Sequence, residues 1–165
     1  MNKGRVSTAI LLIGVGIWYL AIAVSPLVKA IAYGPTTWPL QIIGLGILFY
    51  LAGIFALKPA MFIPGTIIAG IGGLLYYQNL TGDWDSWAYA WALIPGFVGV
   101  GLILFGVFKR KTGAMIGGLW NICTSLVLFS IFGSVFGKIA YVDKIWPVAL
   151  VILGLFLLAG AFRRK

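Results

Sequence analysis

Charged residues are few along this chain and come in small groups, so the sequence divides into long uncharged stretches at 6–28, 30–57, 59–82, 86–108, 112–137 and 145–162. Each runs for 18 to 28 residues. A helix rising about 1.5 Å per residue crosses the hydrocarbon core of a bilayer in about 20 residues, so each stretch is long enough to span once. The pattern predicts helices near 6–28, 38–57, 60–79, 88–108, 113–136 and 145–162. The sixth is short, and Arg163, Arg164 and Lys165 behind it are placed to snorkel to the interface. The expected fold class is therefore all-α, a polytopic membrane protein with six transmembrane helices in a single domain over 1–165.

The loops provide a test of that count. Threading six spans alternately puts Lys3, Arg5, Lys58, Lys109, Arg110, Lys111, Arg163, Arg164 and Lys165 on one side, with no acid among them. The other side receives Lys29, Lys138 and Lys144 against Asp83, Asp85 and Asp143, a net charge of zero. Because cytoplasmic loops carry the excess of Lys and Arg, this split predicts a plasma-membrane protein with both termini cytoplasmic. Trp and Tyr favour the headgroup level, and Trp38, Trp84, Trp87, Trp91 and Trp146 all fall at or near the outer ends of the spans as interfacial anchors. Trp18 and Trp120 fall deeper and are expected to pack between helices. The start of the chain has a competing reading. The basic Met1–Arg5, the apolar Val6–Leu20 and Ala21-Ile22-Ala23 also fit a cleavable signal peptide, whose removal would leave five spans with the new N-terminus outside. Retention as the first span is the expectation adopted.

Composition narrows the function classes. Hydrophobic residues make up 62% of the 165 and charged ones 9%, against about 25% charged in soluble domains. A soluble globule is excluded. The net charge of +9 and pI of 9.9 do not point to nucleic acid, because such binders spread Lys and Arg over a solvated face and here apolar runs separate them. With no histidine and one cysteine, Cys123, the chain has no means for His-ligated haem or zinc, a His general base or an intrachain disulfide. No cofactor is expected.

An internal repeat organises the spans. Trp38, Trp91 and Trp146 each open an even-numbered span, and eight residues after each comes a glycine: Gly46, Gly99 and Gly154. A second glycine follows (Gly53, Gly106, Gly160), then Phe55, Phe108 or Phe162 before the basic residues. The expected arrangement is three repeated helical hairpins, approximately 6–57, 60–108 and 113–162. Pro39 and Pro147 sit where a helix begins and a missing N–H costs nothing, whereas Pro95 is expected to enter the fourth span and kink it. The paired glycines let a neighbouring backbone approach closely. In the odd spans Gly14 and Gly16, Gly65, Ala69 and Gly73, Gly113 and Gly117, then Gly133 and Gly137 suggest packing seams, either within the chain or between copies.

The stretch from Pro64 to Lys111, P64-G-T-I-I-A-G-I-G-G-L-L-Y-Y-Q-N-L-T-G followed by W84-D-S-W-A-Y-A-W and a glycine-spaced helix ending in basic residues, resembles the small bacterial transmembrane domain of LiaI and LiaF proteins and related domains of unknown function. Trp38-Pro39 and Trp146-Pro147 carry the same hallmark, so the resemblance covers most of the chain. It implies a membrane component of cell-envelope stress sensing. This chain departs from it in having three hairpins where two are usual, and the soluble C-terminal domain associated with a signalling partner has no counterpart in these residues.

Candidate chemistry is sparse. No Asp, Glu, Lys or Arg falls inside a predicted span, and such groups are the usual mark of proton relays and ion coupling. The polar residues singled out are Gln41, and Asn121, Thr124, Ser125 and Ser130 with Cys123 among them; Asn121, Thr124 and Ser125 share a helical face by spacing. They either bond across helices or line a path for a polar group. Asp83 and Asp85 fall well short of the six to eight oxygens calcium takes and are expected to cap the next helix. The clusters Lys109-Arg110-Lys111 and Arg163-Arg164-Lys165 fit anionic lipid. The function expected is that of a non-enzymatic accessory, scaffold or envelope-stress component working through helix contacts with other membrane proteins or itself. A passive channel for a small neutral solute, or an anchor or assembly subunit of a larger membrane complex, is the alternative.

Overall fold

The computed structural model describes residues 3–136 together with 147, 148, 151, 154 and 155. The sixth predicted span, with Trp146, Arg163, Arg164 and Lys165, lies largely outside these residues. Among the described residues every regular element is helical: α1 (Lys3–Val24), α2 (Pro26–Tyr33), α3 (Pro39–Phe55), α4 (Phe62–Thr81), α5 (Trp87–Ala90), α6 (Ile94–Lys109) and α7 (Thr112–Val135), with three short 3-10 turns between them. Four helical segments, Gly4–Val24, Pro59–Thr81, Trp84–Lys109 and Thr112–Val135, are long and apolar enough to cross a membrane, and Pro39–Phe55 is a shorter apolar helix. Only 11–22% of the residues in the four long windows are buried. Such helices put most of their apolar surface outward, an arrangement suited to lipid, where each backbone N–H must be satisfied inside its own segment.

Prolines decide where the helices begin. The first span ends early, at Val24, because Pro26 cannot donate to the ladder; Ser25 caps the new helix α2 by accepting from the Val28 N–H at 3.3 Å. Pro39 sits in the first turn of α3. Pro95 differs from expectation. It falls in the first turn of α6 rather than within it, and the 3-10 turn Trp91–Leu93 absorbs the irregularity: the Trp91 carbonyl, denied the proline N–H, accepts from Ile94 instead. At the other end α3 and α6 stop alike. Leu57 and Arg110 both take a left-handed conformation with φ 52°, and the following Lys58 and Lys111 N–H groups reach back to the Gly53 and Gly106 carbonyls, each at 2.8 Å. This is the Schellman termination.

Packing runs in the order α1, α3, α4, α6, α7, with the closest pairings α3 on α4 and α6 on α7. Helix α4 lies between α3 and α6, and none of its residues from Phe62 to Tyr76 is exposed. Glycines make the close approaches. A Cβ on Gly46 would stand 2.6 Å from the Ala69 nitrogen, and one on Gly99 would collide with the Gly118 carbonyl oxygen. The seam on α4 uses Gly65, Ala69 and Gly72 rather than Gly73, and that on α7 uses Gly118 rather than Gly117. Gly73, Gly113 and Gly117 have nothing against them among the described residues. Where two glycines adjoin, the seam inside the chain uses the neighbour of the one that spacing singles out.

Candidate functional site

The polar residues separate into two places. Gln41, near the start of α3, is half-buried. Its amide nitrogen donates to the Ala32 carbonyl at the end of α2, and its oxygen accepts from the Trp18 indole at 3.4 Å. One side chain thus ties α1, α2 and α3. Beside it a groove of about 470 Å³ opens between α1 and α3, lined by Gly14, Val15, Trp18, Tyr19, Gln41 and Leu48 among others. Among the described residues its walls carry no ionisable group other than the Tyr19 phenol.

Ser125 on α7 is 1% exposed. Its hydroxyl donates to the Ala92 carbonyl at 2.6 Å and lies against Gly96, where a Cβ would stand 2.8 Å from it. The bond crosses from α7 to the 3-10 turn before α6, where Pro95 has disturbed the ladder. Asn121 is half-buried and bonds within its own helix, to the Gly117 carbonyl at 2.9 Å. Thr124 is exposed. Although spacing places Asn121, Thr124 and Ser125 on one side of α7, the three face different surroundings. Gln41 finds its partners on α1 and α2, and Ser125 finds its on the segment before α6. The structure does not bring the four together. Cys123 is half-buried and unpaired with any second cysteine.

The outer and basic ends fill in the picture. Trp84, Trp87 and Trp91 are all partly exposed, and Trp91 packs on Phe132 at 5.0 Å while its indole donates to the Ala88 carbonyl at 3.1 Å. Trp38 is half-buried at the head of α3. Trp18 lines the groove rather than lying between closely packed helices, and Trp120 is half-buried. Asp83 stands at the N-cap of the 3-10 turn Trp84–Ser86 without a side-chain cap bond. Its backbone carbonyl accepts instead, from the Ser86 hydroxyl at 2.6 Å. Lys109, Arg110 and Lys111 are all exposed on the turn between α6 and α7.

Two buried polar groups carry no mark in the spacing of the sequence. Thr66 on α4 donates to the Phe62 carbonyl at 2.7 Å and meets the Tyr50 hydroxyl of α3 at 2.6 Å. Gln78, 1% exposed near the outer end of α4, donates to the Ser86 hydroxyl at 2.9 Å, while its oxygen has no partner. Asn79 beside it donates to the Pro35 carbonyl at 2.8 Å. The available signal for Gln78 was the Gly82-Asp83 turn with a hydroxyl just beyond it, the means by which a helix end ties down the loop that follows. In each of these cases neutral hydrogen bonds fix one helix or loop against the next. No protein-family model matches the chain, and neither a curated protein nor a solved structure matches it.

Proposed function

We propose that the chain is a non-enzymatic, multi-pass protein of the plasma membrane, its six spans forming three hairpins with both termini cytoplasmic, and that it works through helix contacts as an accessory or scaffold component. The resemblance to LiaI and LiaF proteins makes cell-envelope stress its setting. One observation carries the reading. Three polar side chains in the apolar helices are engaged internally, Ser125 on Ala92, Thr66 on Tyr50 and Phe62, Gln41 on Ala32 and Trp18, while Gly16, Gly73, Gly113 and Gly117 present helix faces with nothing against them among the described residues. Small residues on a lipid-facing helix are where another helix packs. The basic turn Lys109–Lys111 supports the orientation and gives a surface for anionic lipid.

Purification from membranes in mild detergent, followed by reconstitution, tests the proposal. A stoichiometric membrane partner, whether another protein or a second copy, together with liposomes that stay tight to small neutral solutes, is the expected result. Liposomes that leak such a solute, with the leak abolished by Asn121→Leu, would replace the scaffold by a channel.

A further inference from the structure

We propose that the basic ends of α3 and α6 together hold the headgroup of an anionic phospholipid, with Lys58 on one side of it and Lys109, Arg110 and Lys111 on the other. The inference rests on the membrane reading above, which it deepens, and is independent of the scaffold role. It starts from a turn that the chain makes twice. Leu57 and Arg110, 53 residues apart, both take the left-handed conformation. Lys58 and Lys111, at the same offset, donate their N–H groups to the Gly53 and Gly106 carbonyls. Each turn therefore presents a lysine at the same point of the same termination.

Packing brings the two turns to one place. The Phe62 ring, four residues after Lys58, lies 4.8 Å from the ring of Phe108, the residue before Lys109. An added Cβ on Gly53 would stand 3.0 Å from that same Phe62 ring, and one on Gly101 would stand 2.7 Å from the Ile63 Cα. Phe62 is 2% exposed, so a buried aromatic contact forms the floor between the turns. Lys58 is partly exposed at its edge, and Lys109, Arg110 and Lys111 are exposed. The turn itself does not call for these charges. Its left-handed position holds Leu57 at the end of α3 and Arg110 at the end of α6, where glycine is the residue that conformation favours.

The chain lacks the anions to neutralise this end. Its acids are Asp83, Asp85 and Asp143. Asp83 and Asp85 stand at the start of the 26-residue helical segment that Lys109 closes. The residues outside the described set add one acid, Asp143, against Lys138, Lys144, Arg163, Arg164 and Lys165. One carboxylate is the most that the rest of the chain brings, whatever lies over the site. A phospholipid supplies what is missing. Its phosphate meets the cations at the headgroup level. Its acyl chains cover the apolar side chains beside them, Leu57 at 67% exposed and Phe108 at 59%. An acidic soluble segment would neutralise the cations and leave those side chains bare.

Intact-mass spectrometry of the full chain tests this, with the protein released from mild-detergent micelles in the presence of phosphatidylglycerol or of phosphatidylcholine with the same acyl chains. The expected result is preferential retention of phosphatidylglycerol, falling about fivefold for each cation removed, in Lys58→Gln, in Arg110→Gly and further in the two combined. Lys29→Gln, exposed on α2 near the opposite end of α3, is expected to leave it unchanged. Arg110→Gly separates binding from structure, because glycine takes the left-handed conformation freely. Its melting temperature is expected to hold or rise while lipid retention falls, whereas an Arg110 of structural role alone would leave retention as it was. Equal retention of the two lipids would overturn the proposal, as would a preference that survives loss of all four cations. A preference untouched by Lys58→Gln overturns the shared site. An acidic protein recovered through the same cations, with no lipid preference, overturns it in favour of a protein partner. A lipid preference with no protein partner leaves this site standing and removes the scaffold role.

Discussion

At the scale of single residues, the most consequential polar group is Ser125. It is buried against Gly96 and donates to the Ala92 carbonyl at 2.6 Å, in the turn where Pro95 leaves the backbone short of a donor. Removing the hydroxyl therefore takes a cross-helix donor away from a carbonyl beside that irregularity. In membrane interiors such bonds contribute about 0.6 kcal/mol on average and up to about 1.7. Ser125→Ala is expected to lower stability by about 1 kcal/mol in a mild-detergent unfolding titration. Thr124→Ala, one residue away and exposed, is expected to stay within about 0.5 kcal/mol of the parent. Equal losses at the two positions would mean that the cross-helix bond contributes nothing of its own. Gln78 shows the opposite balance: its nitrogen holds Ser86 while its buried oxygen has no partner, so the loop is tied down at the cost of an unmet acceptor.

At the scale of helices, close approach is set by glycines, and the seams separate those in contact from those in the open. Gly99 and Gly118 lie at each other's carbonyl oxygens, so a methyl at either forces α6 and α7 apart, whereas Gly113 on α7 faces nothing within 4 Å among the described residues. Gly99→Ala is expected to cost about 1–3 kcal/mol, the usual range for overpacking. Gly113→Ala is expected to be neutral or to stabilise by up to about 1 kcal/mol through helix propensity. The comparison is read in the same unfolding titration, and reversed signs would overturn the seam assignment. Much of this was legible in the sequence: the uncharged runs located to within a few residues the four helices of membrane-spanning length and the shorter apolar helix Pro39–Phe55, and the glycines eight residues after Trp38 and Trp91 stand at the crossings. The choice between Gly117 and Gly118 was not legible. Apolar residues stand on every side of α7, and its polar ones, buried at Ser125 but exposed at Thr124, do not mark the side that meets α6, so only the position of α6 decides. Thr66 and Gln78 stayed hidden for a related reason, since their partners, Tyr50 and Ser86, lie on other segments whose register spacing does not reveal.

At the scale of the whole molecule, the arrangement of charge predicts which way the chain faces. The segment Trp84–Lys109 has 26 residues, about 39 Å at 1.5 Å per residue, which exceeds a hydrocarbon core of about 30 Å. It is long and apolar enough to cross, and if it does its two ends meet opposite interfaces. One end carries Asp83, Asp85 and the partly exposed Trp84 and Trp87, the other Lys109, Arg110 and Lys111. By the positive-inside rule the end with three cations and no acid beside them is expected on the cytoplasmic side, and the aromatic, acidic end outside. Asp85 and Thr112 are both exposed, so single cysteines there, in a Cys123→Ala background, report the two ends. On intact cells a membrane-impermeant maleimide is expected to label the Asp85→Cys protein and to reach the Thr112→Cys protein only after permeabilisation. The reverse pattern would turn the molecule over and place its basic clusters outside. Labelling of both from outside would mean that this segment does not cross, and with it would go the alternation that puts nine cations on one side and balances three against three on the other.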